Sequence, residues 1–226
     1  FTLPETKLLK FPNLADSTSA NKFEVGKSTT LGKLYQYTGI DQTTGLYTFM
    51  DINHDGRINA TDRIAAREIR EYWYGGIQNS IQYKNWSFDI LLQMVNQSQY
   101  NIYSVYGNIG YMENKPSVFL DYWTPENPDA RFQKPSAGYN AAAATSGSLF
   151  TSSDATVSDV FTVRVKNISL SYQLLPIGQH KSVVRFFANG QNLFLFSNYK
   201  GSNPEFMIAG FSSPLRVMSL GMSLTF

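Results

Sequence analysis

Five stretches of this chain alternate apolar and polar residues at a period of two, and the connections between them switch sharply from short to long. In "LRVMSLGMSLTF", residues 215–226, Leu220, Met222, Leu224 and Phe226 fall on one side, and Ser219, Gly221, Ser223 and Thr225 on the other. In "WSFDILLQMV", Trp86, Phe88, Ile90, Leu92 and Met94 share a face. "GGIQNSIQYK" sets Ile77, Ile81 and Tyr83 against Gln78, Ser80, Gln82 and Lys84, and "VFTVRVKNISLSYQLL" sets Ile168, Leu170, Tyr172 and Leu174 against Asn167, Ser169, Ser171 and Gln173. "VVRFFANGQNLFLF" is the least regular, and Gly190 is expected to mark a bulge that resets its alternation. Each stretch reaches the ~9–11 residues of a tilted membrane strand. The apolar side of such strands meets a second sheet in a soluble sandwich and lipid in a transmembrane barrel.

The connections separate the two. Lys84 to Ser87 and Leu175 to Lys181 are tight, whereas 97–160 and 197–214 are long. Compact soluble domains rarely hold structureless loops beyond ~12–15 residues, while outer-membrane barrels pair short periplasmic turns with long extracellular loops. With the C-terminus in the periplasm, every short turn falls on that side and every long loop outside. Five strands do not close a barrel, so the chain is expected to be a piece of one or to be completed by another chain. The N-terminus "FTLPETKLLKFPNL" has no basic region followed by an apolar core. Either the protein is cytosolic or translation began before Phe1.

Composition narrows the remaining classes. A net charge of +2 gives no nucleic-acid footprint, and the lack of cysteine excludes disulfides and thiolate metal sites. Aromatics at 15% suit stacking surfaces or membrane-interface belts. No run approaches the roughly 18 apolar residues of a membrane helix. His54 and His180 are the only histidines, neither has a recognisable catalytic neighbour, and no enzyme is predicted.

The tail "SLGMSLTF" resembles the C-terminal signal of outer-membrane barrels, carried by Ser219, Gly221, Leu224 and Phe226. More specific are "KFEVGKSTTLGKLYQYTGIDQTTGLYTFMDINHDGRINATDR", "YGGIQNSIQYKNWSFDILLQ", "LDYWTPENPDARFQKP", "VRVKNISLSYQLL" and "ANGQNLFLFSNYKGSNPE". In that order and spacing they resemble the C-terminal barrel region of SusC/RagA-type TonB-dependent transporters of Bacteroidota, over nearly the whole chain. The resemblance implies an all-β fold: the last strands of a large antiparallel transmembrane barrel of roughly 22 strands, plugged from its N-terminal side. Residues 1–226 would then be the C-terminal part of the barrel domain, and the final strand would pair with a first strand this chain lacks. It further implies import of a large nutrient, glycan or peptide, across the outer membrane of a Gram-negative bacterium. TonB, acting through a region outside this chain, and a SusD-like surface lipoprotein are the implied partners, with outer-membrane lipid around the barrel. A passive porin or adhesion barrel, and a soluble secreted glycan-binding module, are the alternatives.

Two regions carry candidate contacts. "DINHDGRINATD", residues 51–62, has the spacing of an EF-hand or dockerin-like Ca²⁺ loop: Asp51, Asn53 and Asp55 at alternate positions, Gly56 at the tight turn, the Arg57 carbonyl, Asn59 at the water-linked position and Asp62 at the twelfth. Asp in place of Glu at the twelfth position, and a strand-like "GLYTFM" before Asp51, leave an Asx-turn loop without metal as the alternative. Ile58 is expected to anchor the loop. In the long loop, Tyr100, Tyr103, Tyr106, Tyr111, Tyr122 and Trp123 present faces that suit sugar or peptide stacking, or packing within the loop. "YNAAAATSGSLFTSSDATVSD" reads as a mobile tip. Arg164 and Lys166, near the outer end of their strand, are placed to meet lipopolysaccharide phosphate or a partner, and Lys84 and Asp89 flank a tight turn on the lumen side.

Overall fold

The computed structural model describes residues 1–20, 22–109, 113–174, 182–199, 203–205 and 213–225. Its spine is a five-stranded antiparallel meander: β5 (Glu71–Tyr83), β6 (Trp86–Tyr100), β7 (Val157–Leu174), β8 (Val183–Ser197) and β9 (Val217–Thr225), paired in chain order. These are the five alternating stretches, extended by several residues at the loop end of β6 and β7.

Because register fixes which residues stand side by side, the alternation adds up across strands. One face carries the row Ile81, Phe88, Leu170, Ala188 and Leu220, followed toward the β5–β6 turn by Tyr83, Trp86, Tyr172, Phe186 and Met222. The Trp86 and Tyr172 rings lie 4.7 Å apart between centroids. The opposite face carries Ser80, Asp89, Ser169, Asn189 and Ser219 in a row. There Ser80 donates to Asp89 at 2.5 Å, and Ser169 meets Asn189 at 2.7 Å. The apolar face is open: Leu220 is 86% exposed, with Ile77, Ile81, Phe194, Phe196, Met218 and Met222 also exposed.

Two local irregularities differ from the sequence expectation. The alternation is reset on β7, not at Gly190 of β8: Leu91 and Leu92 of β6 face Asn167 and Val165, so Lys166 is skipped. Above it Val165 and Val163 take the apolar face, and Arg164 turns to the polar one. On β8 the matching irregularity centres on Asn192, whose φ of 53° is left-handed. Gly190 lies beside it, where a side chain would collide with Leu193.

At the loop end a separate cap folds from two segments. The first supplies β1 (Leu31–Leu34) paired with β4 (Ile64–Glu68), and β2 (Tyr37–Ile40) paired with β3 (Tyr47–Phe49). The second, between β6 and β7, supplies α1 (Tyr103–Tyr106) and α2 (Ala141–Thr151). The stretch read as a mobile tip is therefore an ordered helix. Asn140 caps it by accepting from the Ala143 N–H, worth about 1 kcal/mol, and four consecutive alanines favour the helix. Gly147 admits Asn108 where any side chain would clash. Tyr47, Ile109, Phe119, Phe132 and Phe150 form the cap core, with Tyr47 and Phe150 stacked at 4.1 Å and 12°.

Candidate functional site

The Asp-rich loop between β3 and β4 is built by its own side chains. Asp51 Oδ2 accepts from the Gly56 N–H at 2.8 Å, with Gly56 at φ 77°, and Asp55 Oδ1 accepts from the Arg57 N–H at 2.8 Å. Asn53 accepts from the Asp55 N–H and donates to Asp55 Oδ2. Asp62 closes the loop: fully buried, it accepts from the Ile52 N–H at 2.9 Å and the Asn59 N–H at 2.8 Å, and Asn59 in turn caps the short helical turn Ala60–Asp62. The Asn59 N–H, with those of Ile52 and Asn53, holds the Asp62 carboxyl below the usual carboxylate range, against the opposite pull of burial. Asp51 Oδ1 is shielded from solvent and has no hydrogen-bond partner among the described residues.

These contacts fit both readings of the loop. Each carboxylate oxygen keeps a lone pair after accepting one N–H, so Asp51, Asn53, Asp55, the Arg57 carbonyl and Asp62 retain ligand capacity for a hard cation. No three His, Cys, Asp or Glu side chains among the described residues are grouped to hold a metal by themselves, so such a site needs the Asn53 and carbonyl oxygens too. Ile58, half-buried, faces α2 across a groove shared with Tyr47 and Leu149.

The aromatic residues of the long loop divide by environment. Tyr103 packs edge-on against Phe119 and Phe132, Tyr106 tilts against Phe119, and Tyr122 borders the same core. Trp123 is buried, donates to Gln42 at 3.3 Å and covers Gly45, whose φ of 72° and missing side chain make room for it. Their contacts are thus with the cap. Tyr100 is half-buried and lines a polar pocket with Lys33 and Arg63. Tyr111 lies outside the described residues.

Of the C-terminal signal, Ser219 stands opposite Asn189 and Leu224 opposite Val184, while Gly221 faces Phe187, whose ring fills the space a side chain would take. Phe226 and the 175–181 turn lie outside the described residues. Lys84 and Asp89 do not meet: Lys84, at φ 53°, sets its ammonium over the Tyr83 ring at 5.4 Å, and Asp89 bonds to Ser80. Arg164 does not reach an outer surface either. Turned by the Lys166 irregularity, it is 3% exposed and pairs with Glu205 at 2.6 Å. Sequence reasoning missed this polar wall because a single skipped residue reverses every side chain beyond it. Beside it Gln97 donates to Gln99 and to the Pro204 carbonyl, which seats residues 203–205 on the polar face.

No family model matches the chain. It is 25% identical over 168 residues to the TonB-dependent receptor P3 of Formosa agariphila, covering 73% of this chain and 16% of that receptor. In fold it is similar to the RagAB peptide transporter, with a TM-score of 0.68 and 21% identity over 90% of this chain and 23% of that one. The RagAB peptide importer in the "closed-closed" state gives 0.61 and 19% over 94% and 24%. The chain thus spans less than a quarter of the length of these relatives. The likeness in sequence to a TonB-dependent receptor and in fold to RagAB bears out the resemblance to SusC/RagA-type transporters and the antiparallel barrel-strand fold class. These relatives are receptors and transporters, not enzymes.

Proposed function

We propose that residues 1–226 are the C-terminal part of the barrel domain of a TonB-dependent importer in the outer membrane of a Gram-negative, Bacteroidota-like bacterium. Its cargo is a large nutrient, glycan or peptide, and a SusD-like lipoprotein covers the extracellular mouth above the cap. One observation carries the reading: a sheet whose faces are sorted row by row, with an exposed apolar face bounded by the Tyr83, Trp86, Tyr172 and Phe186 belt. An open face of that size has no place in water, but an aromatic belt at the end of an apolar band is how barrel strands meet a membrane interface. The polar row faces the lumen, the Lys84–Asn85 turn the periplasm and the cap the outside.

Uptake of labelled oligosaccharide and oligopeptide pools by intact cells, with and without the gene, tests this. Loss of uptake on deleting the gene, and equally on collapsing the proton gradient that drives TonB, is expected. Gene-dependent uptake that survives that collapse would mark a passive porin.

We also propose that Asp51, Asn53, Asp55, the Arg57 carbonyl and Asp62 hold one Ca²⁺ as a structural clip. The spacing, the Asp51 to Gly56 bond and the unpartnered Asp51 Oδ1 support it. Calorimetry on the full-length protein should show one site, in the ~10⁻⁴–10⁻³ M range of extracellular modules, that Asp55→Ala removes. No heat in millimolar calcium would leave the Asx-turn loop as the correct description.

A further inference from the structure

Between β1, the residue before β4, the end of β6 and the end of α2, a pocket of about 260 Å³ is lined by Lys33, Arg63, Tyr100, Ser104 and Ser152. Its two cations have no counter-charge. Neither Lys33 nor Arg63 forms an ion pair among the described residues, whose pairs are Arg67–Asp159, Arg70–Glu68, Lys115–Glu113 and Arg164–Glu205. The nearby carboxylates are engaged elsewhere: Asp62 caps its own loop, and Asp154 accepts from the Tyr37 N–H at 2.9 Å.

The state of Arg63 is the telling feature. Its guanidinium carbon lies over the Tyr35 ring, 4.7 Å from the centroid, a cation–π contact that restrains the fork. It donates no hydrogen bond to a described residue, and its Nε is shielded from solvent with no partner. A guanidinium restrained over a ring, with no donor spent on a described residue, is available to a planar, two-oxygen acceptor. Lys33 spends one of its three donors on the Ala20 carbonyl at 3.0 Å, which leaves two to reach the pocket. Arg70 and Arg164 also leave one shielded guanidinium nitrogen without a hydrogen bond, but each has a carboxylate, Glu68 and Glu205, whereas Arg63 has none among the described residues.

We propose that this pocket binds a free carboxylate carried by a terminal unit of the cargo, with Arg63 gripping both oxygens, Lys33 adding charge and the Tyr100 hydroxyl donating from the side. The volume fits one residue or sugar ring, so the pocket reads an end group and not a chain. The assignment rests on the import reading for its biological sense, but the binding itself does not depend on transport.

Two matched pairs of probes separate the sources of a carboxylate. Tetraglycine is compared with tetraglycine amide, and digalacturonate with neutral digalactose, each titrated against the full-length protein in detergent. The acid of at least one pair should bind ten-fold or more tightly than its neutral partner, and Arg63→Gln should erase that preference. Preference in the peptide pair alone assigns a peptide C-terminus, and in the sugar pair alone a uronic acid. Since Arg63 also supports Tyr35, Lys33→Gln is the second variant, expected to cut the preference at least three-fold without altering the unfolding temperature. Equal affinity for acid and neutral probes, or a preference that both variants retain, overturns the proposal. Acid preference in a protein whose deletion leaves uptake unchanged would uphold the pocket while refuting import.

Discussion

Arg164 and Glu205, forty-one residues apart in sequence, meet through Nε and Oε1 at 2.6 Å on the polar face of the sheet, Arg164 almost wholly buried and Glu205 about a quarter exposed. The pair, with the Gln97 bond to the Pro204 carbonyl, is what ties residues 203–205 to the wall. Arg164→Ala should free that segment by removing the charged hydrogen bond to Glu205, at a cost of about 1.5–3 kcal/mol. Limited proteolysis reads this directly. Cleavage near 203–205 should appear in the variant before any loss of barrel mobility on a gel, and unchanged resistance would show that the pair ties nothing down.

The two faces of β7 and β9 should respond oppositely to charge. Arg in place of Leu220 or Leu170 should cost ~2–4 kcal/mol at the bilayer midplane, and Arg in place of Ser219 or Ser169 much less. Equal effects on folding into vesicles would refute the lipid-facing assignment.

Sidedness is checked in intact cells. Cysteine at Ser148, exposed on α2, should react with an impermeant maleimide, whereas cysteine at Asn85, in the two-residue turn between β5 and β6, should not. Labelling of both to the same extent would reverse or abolish the topology.

Tyr47 offers a test of the cap core. Its ring stacks on Phe150, yet its hydroxyl is buried with no well-formed hydrogen bond among the described residues, only the Gln133 backbone acting weakly on it, and burial pushes its pKa up; Tyr37, at an edge of the same cluster, is pushed up to about 12 by burial. Tyr47→Phe removes an unpaired polar group and should be neutral or stabilising by up to about 1 kcal/mol, while Tyr47→Ala should cost about 3–5 kcal/mol. Thermal unfolding of the cap distinguishes them, and a Phe variant as damaged as the Ala one would reveal a partner for the hydroxyl.

The Asp-rich loop has a defined acid limit. The Asn59 N–H and its companions lower the Asp62 pKa in the folded state, so its contribution is complete above the ordinary Asp value of ~3.9 and is lost as pH falls below it. In chelator, protection of residues 51–62 from hydrogen exchange, taken relative to the intrinsic rate at each pH, should stay high at about pH 5 and fall only well into the acid range. Opening already at neutral pH would contradict the buried, bonded Asp62.

How far each feature could be read from the sequence follows from how local its cause is. The five strands were legible because pairs such as Leu220 and Ser219 declare their faces within a few residues, and the Asp51–Asp62 loop because its side chains bond to backbone close by. The helix Ala141–Thr151 lacks an amphipathic stripe, since apart from Phe150 its buried side is made of small residues, Ala143, Ser146 and Gly147. Asn140 before four alanines was the available signal. The inward turn of Arg164 depends on one skipped residue, and the pocket at Arg63 on residues brought together from β1, β6 and the ends of two helical turns, neither of which leaves a periodic trace.

The cap joins segments that flank a hairpin: the Tyr37 N–H bonds to Asp154, 117 positions later, with β5 and β6 between them. The β1–β4 and β2–β3 pairs close within the first segment, but contacts such as Tyr37 to Asp154 need both segments at the same end of the sheet and are expected to form late. Closure of so long a loop is slow, and it leaves an interval in which strands are seated but the rim is raw. During such an interval Phe150 would lack its cover, since Tyr37 and Tyr47 of the first segment pack on it, whereas Phe119 and Phe132 already shield each other within the second. Following Trp123 emission against gel mobility during refolding would order the two events, and simultaneous change in both signals would dissolve the distinction.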